Sequence, residues 1–521
     1  MLKQLIRNTV ISGAAFGIAA VLGLIVIPVI IRTWGVTEFG LIVMARILLP
    51  SGMMGLLDLG LSEVTTQAVA RAREHRNWRL AGQQLALLTV MAVGLGALLA
   101  VAIWISAPYL SIALRVDPVH VDRFSQILRY TALANLVLIP ALVWEGIVKG
   151  FERYNVLRLA EVSSTIAYVA CTIWASNAAA PFELVAYIYL GSILMRACLV
   201  FIAAFVAVVR KVRLAMWDTP IRRDLLHRCA LFAQGKLTGG LALPVQPFLV
   251  GLLFGPKGVG VYDTVVRLSR VSKVVIGLLT SALLPVASRL DERGNAKAFQ
   301  RLGEFGLVIL PMFTVPPLMA AAVLSPEIMQ AWIGPQMVPY AFWMGLSFVV
   351  PVCAQYLAFG NVMFLTRTDV QSRLNRLMIY QLAVWALVAV ATLHMYDERA
   401  LILGQVVGNA VILPLQIGAV ARGLQLDSHR LLRALLAQAA VLLVVSLLLL
   451  KLADYVGVDG FWRLGLAIAA FCVVSWSLQY FLVLEARQRA IFAELGHRFG
   501  WASISLAIHR RQVQEIDDRL G

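Results

Sequence analysis

Residues 71–79 read RAREHRNWR, and residues 83–106 that follow read QQLALLTVMAVGLGALLAVAIWIS. The second stretch carries no charge and is long enough to cross the hydrocarbon of a bilayer as a helix, which takes about 20 apolar residues. The arginines just before it (Arg71, Arg73, Arg76, Arg79) mark the end that stays in the cytoplasm. This alternation of apolar block and charged hinge repeats along the whole chain. Of the 521 residues 60% are hydrophobic and 14% charged, against roughly 25% charged in an ordinary soluble domain. The expected fold class is therefore an all-α integral membrane protein of about fourteen transmembrane helices. A transmembrane barrel is excluded, because its signature is alternating segments of about ten residues.

The formal charge of +17 would suggest nucleic acid in a soluble protein, but the cations fall in alternate loops. One side collects Lys3 and Arg7; Arg71 to Arg79; Lys149, Arg153 and Arg158; Arg210, Lys211, Arg213, Arg222, Arg223 and Arg228; Arg289 to Arg301; Arg367, Arg373 and Arg376; Arg422, Arg430 and Arg433; and the tail. The other side holds only Arg32, Arg115, Arg123, Lys257, Arg399, Lys451 and Arg463. That asymmetry predicts cytoplasmic N and C termini and an even number of spans. It accounts for the charge with no nucleic-acid partner. The outward loops are all short, which leaves no room for an extracytoplasmic catalytic domain. Cys171, Cys198, Cys229, Cys353 and Cys472 lie in apolar spans without CxxC spacing or neighbouring histidines, so no disulfide and no metal site is expected. No Gly-x-x-x-x-Gly-Lys-Ser/Thr loop for ATP occurs.

Two pseudo-symmetric six-helix lobes follow from weak internal similarity. Pro28, Trp34-Gly35-Val36, Gly40 and Arg46 recur at nearly the same offsets as Pro247, Phe254-Gly255-Pro256, Gly260 and Arg267. The expected domains are an N-lobe over 1–209 (spans 1–6), a cytoplasmic linker over 210–228, and a C-lobe over 229–422 (spans 7–12). A helix pair over 433–484 and a basic amphipathic tail over 485–521, suited to the acidic inner leaflet, complete the chain. Two repeated lobes imply a central cavity as the working site.

Several motifs carry a family resemblance: Arg7-Asn8 opening the first span, Arg32-Thr33-Trp34-Gly35, Glu38-Phe39-Gly40-Leu41, Leu57-Asp58-Leu59-Gly60-Leu61 and Gly150-Phe151-Glu152-Arg153-Tyr154. They resemble the polysaccharide-transporter branch of the MOP superfamily, the Wzx-type O-antigen and exopolysaccharide flippases. The resemblance implies alternating access around a central cavity, and transfer of an undecaprenyl-diphosphate-linked glycan from the inner to the outer leaflet of the bacterial inner membrane. It also implies that spans 433–454 and 462–484 hold part of the polyprenyl tail. Membrane lipids and the polysaccharide polymerase or export machinery are the partners it suggests.

Charges inside spans narrow the site, because each costs about 2.5 to 3.5 kcal/mol on insertion scales unless paired or wetted. Arg46 lies in span two. Span eight, drawn over 262–287, has near its end the acid Asp263, able to carry a proton or neutralise an arginine, and carries Arg267, Arg270 and Lys273 at i, i+3, i+6; the repeat would set Arg46 opposite Arg267. These four are the candidate diphosphate ligands, since guanidinium presents a planar fork of donors and ammonium a compact charge. Snorkelling of Arg46 and Arg267 to the outer interface is the competing explanation. Lys236 and Arg196 are further deep cations, and Arg196 equally suits an ion pair between helices. Glu145 and Asp58 are candidate coupling acids, each with a structural alternative: an ion pair of Glu145 with Lys149, and a turn cap for Asp58. No cofactor is expected; membrane potential, with H+ or Na+ coupling as an option, would suffice. A cation or drug antiporter of the same superfamily is the competing function, and a membrane glycan polymerase or ligase the more distant one.

Overall fold

The computed structural model describes residues 2–485 and 489, apart from 57, 210, 213–214, 241, 282, 284–286, 288–289, 291–295, 365–366 and 457–459. The basic tail expected over 485–521 lies almost wholly outside the described residues. Every described element is helical. Among the described residues eleven helices are long and apolar enough to cross a membrane, which makes the chain a multi-pass membrane protein. The difference from fourteen has visible causes. The first span counts only as the shorter apolar helix Gly17–Thr33, the second is interrupted, and the seventh and eighth run together through one residue, Gly255.

Contacts divide the chain into two compact units, the first comprising 1–271, 332–343 and 382–408, the second 272–331, 344–381 and 409–521. The first unit opens with α1 (Leu2–Thr33), which Gly35, at φ 108°, turns into α2 (Val36–Ile47). The second span then breaks. Pro50 lacks an N–H and cannot continue the helical ladder, Leu59 and Gly60 both take positive φ, and the chain re-enters as α3 (Leu61–His75). Inside hydrocarbon such a break must find its hydrogen bonds within the protein. Buried Asn135 donates its amide to the Leu48 carbonyl at 2.9 Å, and the Asp58 carboxylate accepts the Gly60 N–H at 2.9 Å. Asn135 stands on α5 (Val121–Gly150), between α4 (Trp78–Ala113) and the pair α6 (Tyr154–Asn177) and α7 (Phe182–Val208). Leu61, Val64, Leu88, Ile139, Val143, Val148 and Leu225 form one buried cluster there. Leu225 comes from α8 (Thr219–Gly240), which precedes α9 (Ala242–Ser281).

Gly255 breaks α9 at φ 70° and does for it what Gly35 does between α1 and α2. The sequence correspondence thus has a structural counterpart. Gly40 packs directly on the Pro256 carbonyl, and Gly260 packs on the Val36 carbonyl. Each partner is the repeat equivalent of the other, the reciprocity that a local two-fold relation produces. The same end is clasped further by Arg32, which donates to the carbonyls of Ile333 (2.7 Å) and Trp332 (3.1 Å). The Trp332 indole donates to Leu24 O and the Trp34 indole to Ala180 O, both at 2.9 Å. Trp34 and Trp332, whose spacing suits an interfacial aromatic belt, thereby tie span ends together.

In the second unit, α10 (Ala296–Glu304) leads through a π-helical segment, Phe305–Ile309, into α11 (Leu310–Val323). A π turn leaves backbone groups without their α-helical partners; buried Gln438 donates to the Val308 carbonyl at 2.8 Å. Phe359, Leu374, Val420 and Leu424 surround the segment in the unit's core. The last two helices, 428–456 and 461–482, pack on α11, where Trp476 meets Phe313 at 5.8 Å.

A branched side chain at either crossing glycine would have to displace backbone. Gly40→Val and Gly260→Val are each expected to cost about 1–3 kcal/mol and to lower the unfolding temperature of the detergent-solubilised protein. Gly94→Val, at a glycine with open space around it, is the control expected to stay within about 0.5 kcal/mol.

Candidate functional site

The helix after Gly255 begins at Pro256, earlier than the predicted span over 262–287, and this shift deepens every cation on it. At 1.5 Å per residue Arg267 lies about 18 Å and Arg270 about 22 Å along the axis from Gly255. Arg46 lies about 16 Å along from Gly35 by the same arithmetic. Snorkelling does not explain these positions, because Arg267 and Arg270 turn onto a buried carboxylate instead.

Asp263 is the centre of that cluster. Its side chain is only 4% exposed, and it takes Arg267 Nη2 at 3.1 Å on one oxygen and Arg270 Nη1 at 3.0 Å on the other. The three residues occupy i, i+4 and i+7 of one helix, which puts them on a common face. Arg46, on α2, stacks over the Tyr189 ring of α7 at 5.3 Å and is close enough to Asp263 and Arg267 to feel both charges. Tyr189 meets Tyr168 of α6 edge-on at 5.3 Å. Arg270 stacks over Tyr262 at 5.4 Å, and the Tyr262 hydroxyl donates to Gln246 Oε1 at 2.6 Å. Three guanidinium groups and one carboxylate leave the cluster with two positive charges. Arg267 Nε and Arg270 Nη2 are buried donors with no hydrogen-bond partner among the described residues. Each such group costs about 1–3 kcal/mol where it is left unpaired.

The sequence-predicted residues therefore sort into groups. Arg46, Arg267 and Arg270 come together. Lys273 continues the same helix one turn later, is half-buried, falls in the second unit and has interactions of its own. Lys236 sits on α8, with its side chain outside the described residues. Arg196 belongs elsewhere: it bonds Glu145 at 3.4 Å, and Glu145 also takes Lys149 at 2.9 Å. Glu145 and Arg196 line a cavity of about 250 Å³ beside Leu49, Pro50 and Ser51 of the broken span. Asp58 caps the turn that restarts α3. Asp263, which the sequence places near the end of its span as an acid able to neutralise an arginine, does so for Arg267 and Arg270; its i, i+4, i+7 spacing to them was the signal for its central place. Tyr189, Tyr168 and Gln246 gave none, being ordinary residues in apolar helices.

The sequence profile described as "Polysaccharide biosynthesis protein" matches residues 5–291. No curated protein matches the chain by sequence. Among solved structures, the lipid II flippase MurJ in an inward closed conformation superposes with a TM-score of 0.66 at 12% identity, covering 90% of this chain and 97% of its own. A multidrug resistance MATE family transporter of the MOP superfamily, in an inward-facing conformation, gives 0.63 at 15% identity, covering 79% and 94%. A MOP superfamily transporter from Pyrococcus furiosus, described by the reverse polarity of its binding pocket, gives 0.55 at 16%, covering 81% and 96%. At these identities the likeness is one of fold.

Removing the shared carboxylate tests how the cluster holds together. Asp263→Asn leaves buried guanidinium groups uncompensated and is expected to destabilise by about 3 kcal/mol. Adding Arg270→Gln should recover part of that loss, as a double-mutant cycle of denaturation free energies would reveal.

Proposed function

The chain belongs to the polysaccharide biosynthesis protein family, and we propose that it flips an undecaprenyl-diphosphate-linked oligosaccharide, an O-antigen or exopolysaccharide repeat unit, from the inner to the outer leaflet. Family membership bears out the resemblance carried by the Trp34-Gly35, Leu57 to Leu61 and Gly150 to Tyr154 motifs. The fold, shared with MATE and MurJ proteins, is a transporter fold. The observation that carries the substrate class is the cluster of Arg46, Arg267 and Arg270 around Asp263. Its two positive charges match the roughly two negative charges of a diphosphate, and its unpartnered donors suit phosphate oxygens.

In this mechanism Asp263 is the internal counter-ion while the site waits for substrate. The arriving diphosphate takes over Arg267 and Arg270 in bidentate fashion, with Arg46 closing from α2 and Lys273 next along the helix. Export of the anion is favoured electrically: with the inside negative, two charges moving outward gain about 4.6 kcal/mol per 100 mV. Potential alone gives direction, and no cofactor is required. Coupling to H+ or Na+ would fall to Glu145, already poised between Lys149 and Arg196. The setting is the bacterial inner membrane, with the glycan polymerase or export machinery downstream. The helix pair at 428–482 would shelter part of the polyprenyl chain. A drug-cation exporter on this fold needs a pocket whose charge attracts cations, and the net charge here has the opposite sign.

Deletion of the gene is expected to accumulate undecaprenyl-diphosphate glycans, read by extraction and mass spectrometry, while a surface polysaccharide disappears. The wild-type chain should restore both and Arg267→Ala should not. New sensitivity to cationic drugs without lipid accumulation would instead establish the exporter.

A further inference from the structure

On the orientation that the charge asymmetry predicts, the outward loops are poor in cations, so the place of each one carries information. Three are consumed by partners in the first unit: Arg32 donates to backbone carbonyls, Arg123 pairs with Glu183 at 3.3 Å, and Arg399 pairs with Asp397 at 3.7 Å. Arg115, in the turn after α4, and Lys257, in the first turn of the helix that follows Gly255, converge with His120 on one cavity of about 270 Å³, walled by Leu41 and Phe254. The cavity's carboxylate, Asp117, is engaged locally, accepting the Val119 N–H at 3.0 Å. Glu398, the other acid that interacts with Lys257, is also drawn by adjacent Arg399. Among the described residues Arg115 forms no ion pair.

Arg115 sits at φ 52° in the left-handed turn that closes α4, where the Val116 N–H bonds the Ser111 carbonyl at 3.1 Å, and faces Gly255 at φ 70°. A Cβ on Gly255 would come within 3.0 Å of the Arg115 carbonyl. The volume equals that of several water molecules, each about 30 Å³, and admits a phosphate group with its ester oxygens.

We propose that Arg115, His120 and Lys257 form a second anion site, at the outward end of the first unit, which binds a phosphate or diphosphate ester. It is separate from the Asp263 cluster and does not depend on the cargo assigned above. In that position it would receive the phosphate of a lipid headgroup or the diphosphate of a departing substrate.

The test is isothermal titration of the full-length protein, in phosphatidylcholine nanodiscs at low ionic strength, with inorganic pyrophosphate. Wild type is expected to bind two equivalents and Arg115→Gln/Lys257→Gln one, the lost site weakening at least tenfold. If the Asp263 cluster binds no diphosphate, wild type binds one equivalent and the double variant none, which still sustains the outward site. Equal stoichiometry and affinity in wild type and the double variant overturn it. Both replaced side chains are exposed, so the variant should fold, and Lys257→Arg should keep binding. Repeating the titration with phosphatidylglycerol in the disc separates the sources: competition identifies a lipid headgroup phosphate, and its absence a diphosphate ester.

Discussion

Hydrocarbon gives a polar group nothing to bond to, and the main departures of this chain from uninterrupted apolar helix are shaped by that constraint. The break in the second span is tolerated because Asn135 reaches the Leu48 carbonyl and Asp58 reaches the Gly60 N–H. The π segment at 305–309 is tolerated because Gln438 reaches the Val308 carbonyl. For Asn135 and Gln438, a buried polar side chain that looks out of place in its own apolar helix is explained by a backbone irregularity on another.

The arginines obey the same constraint with larger energies. A buried guanidinium without a counter-ion is untenable, and one with a full counter-ion has no reason to bind anything. The Asp263 cluster lies between these limits, with three cations on one acid and two buried donors left over. Such a cluster is held together by its own acid and keeps an excess of positive charge. Its placement depends on the reciprocal glycine crossing, since the close approach of α2 and α9 at Gly40 and Gly260 is what brings Arg46 towards Asp263. The two-fold relation between the hairpins, visible first as Gly35 and Gly255, is thus also what assembles the site.

Sequence reasoning reached the members of this site unevenly. Arg46, Arg267 and Arg270 stood out because a charge within an apolar run has few explanations. Asp263 stood out less, as one of several acids able to neutralise an arginine, because the span was expected to begin at 262, which places it at the edge; the helix in fact starts at Pro256. The error follows from Pro256-Lys257-Gly258, whose composition reads as loop while proline at the first turn suits a helix. Arg196 and Glu145 were also conspicuous, yet no pattern in one dimension could tell that they pair with each other, from helices 51 residues apart.

The sequence by itself determined the solvent, the helical class and the family, because hydropathy and short motifs are local properties that survive any arrangement of the helices. It also pointed to the correspondence of the two hairpins, since paired glycines and an arginine at depth are scarce enough to be matched. Tertiary structure alone decided which charges share a site, which tryptophans clasp span ends, and where the second span breaks. Those outcomes depend on distances between segments far apart in the chain, and a lone charge or glycine reads the same in sequence whatever stands opposite it.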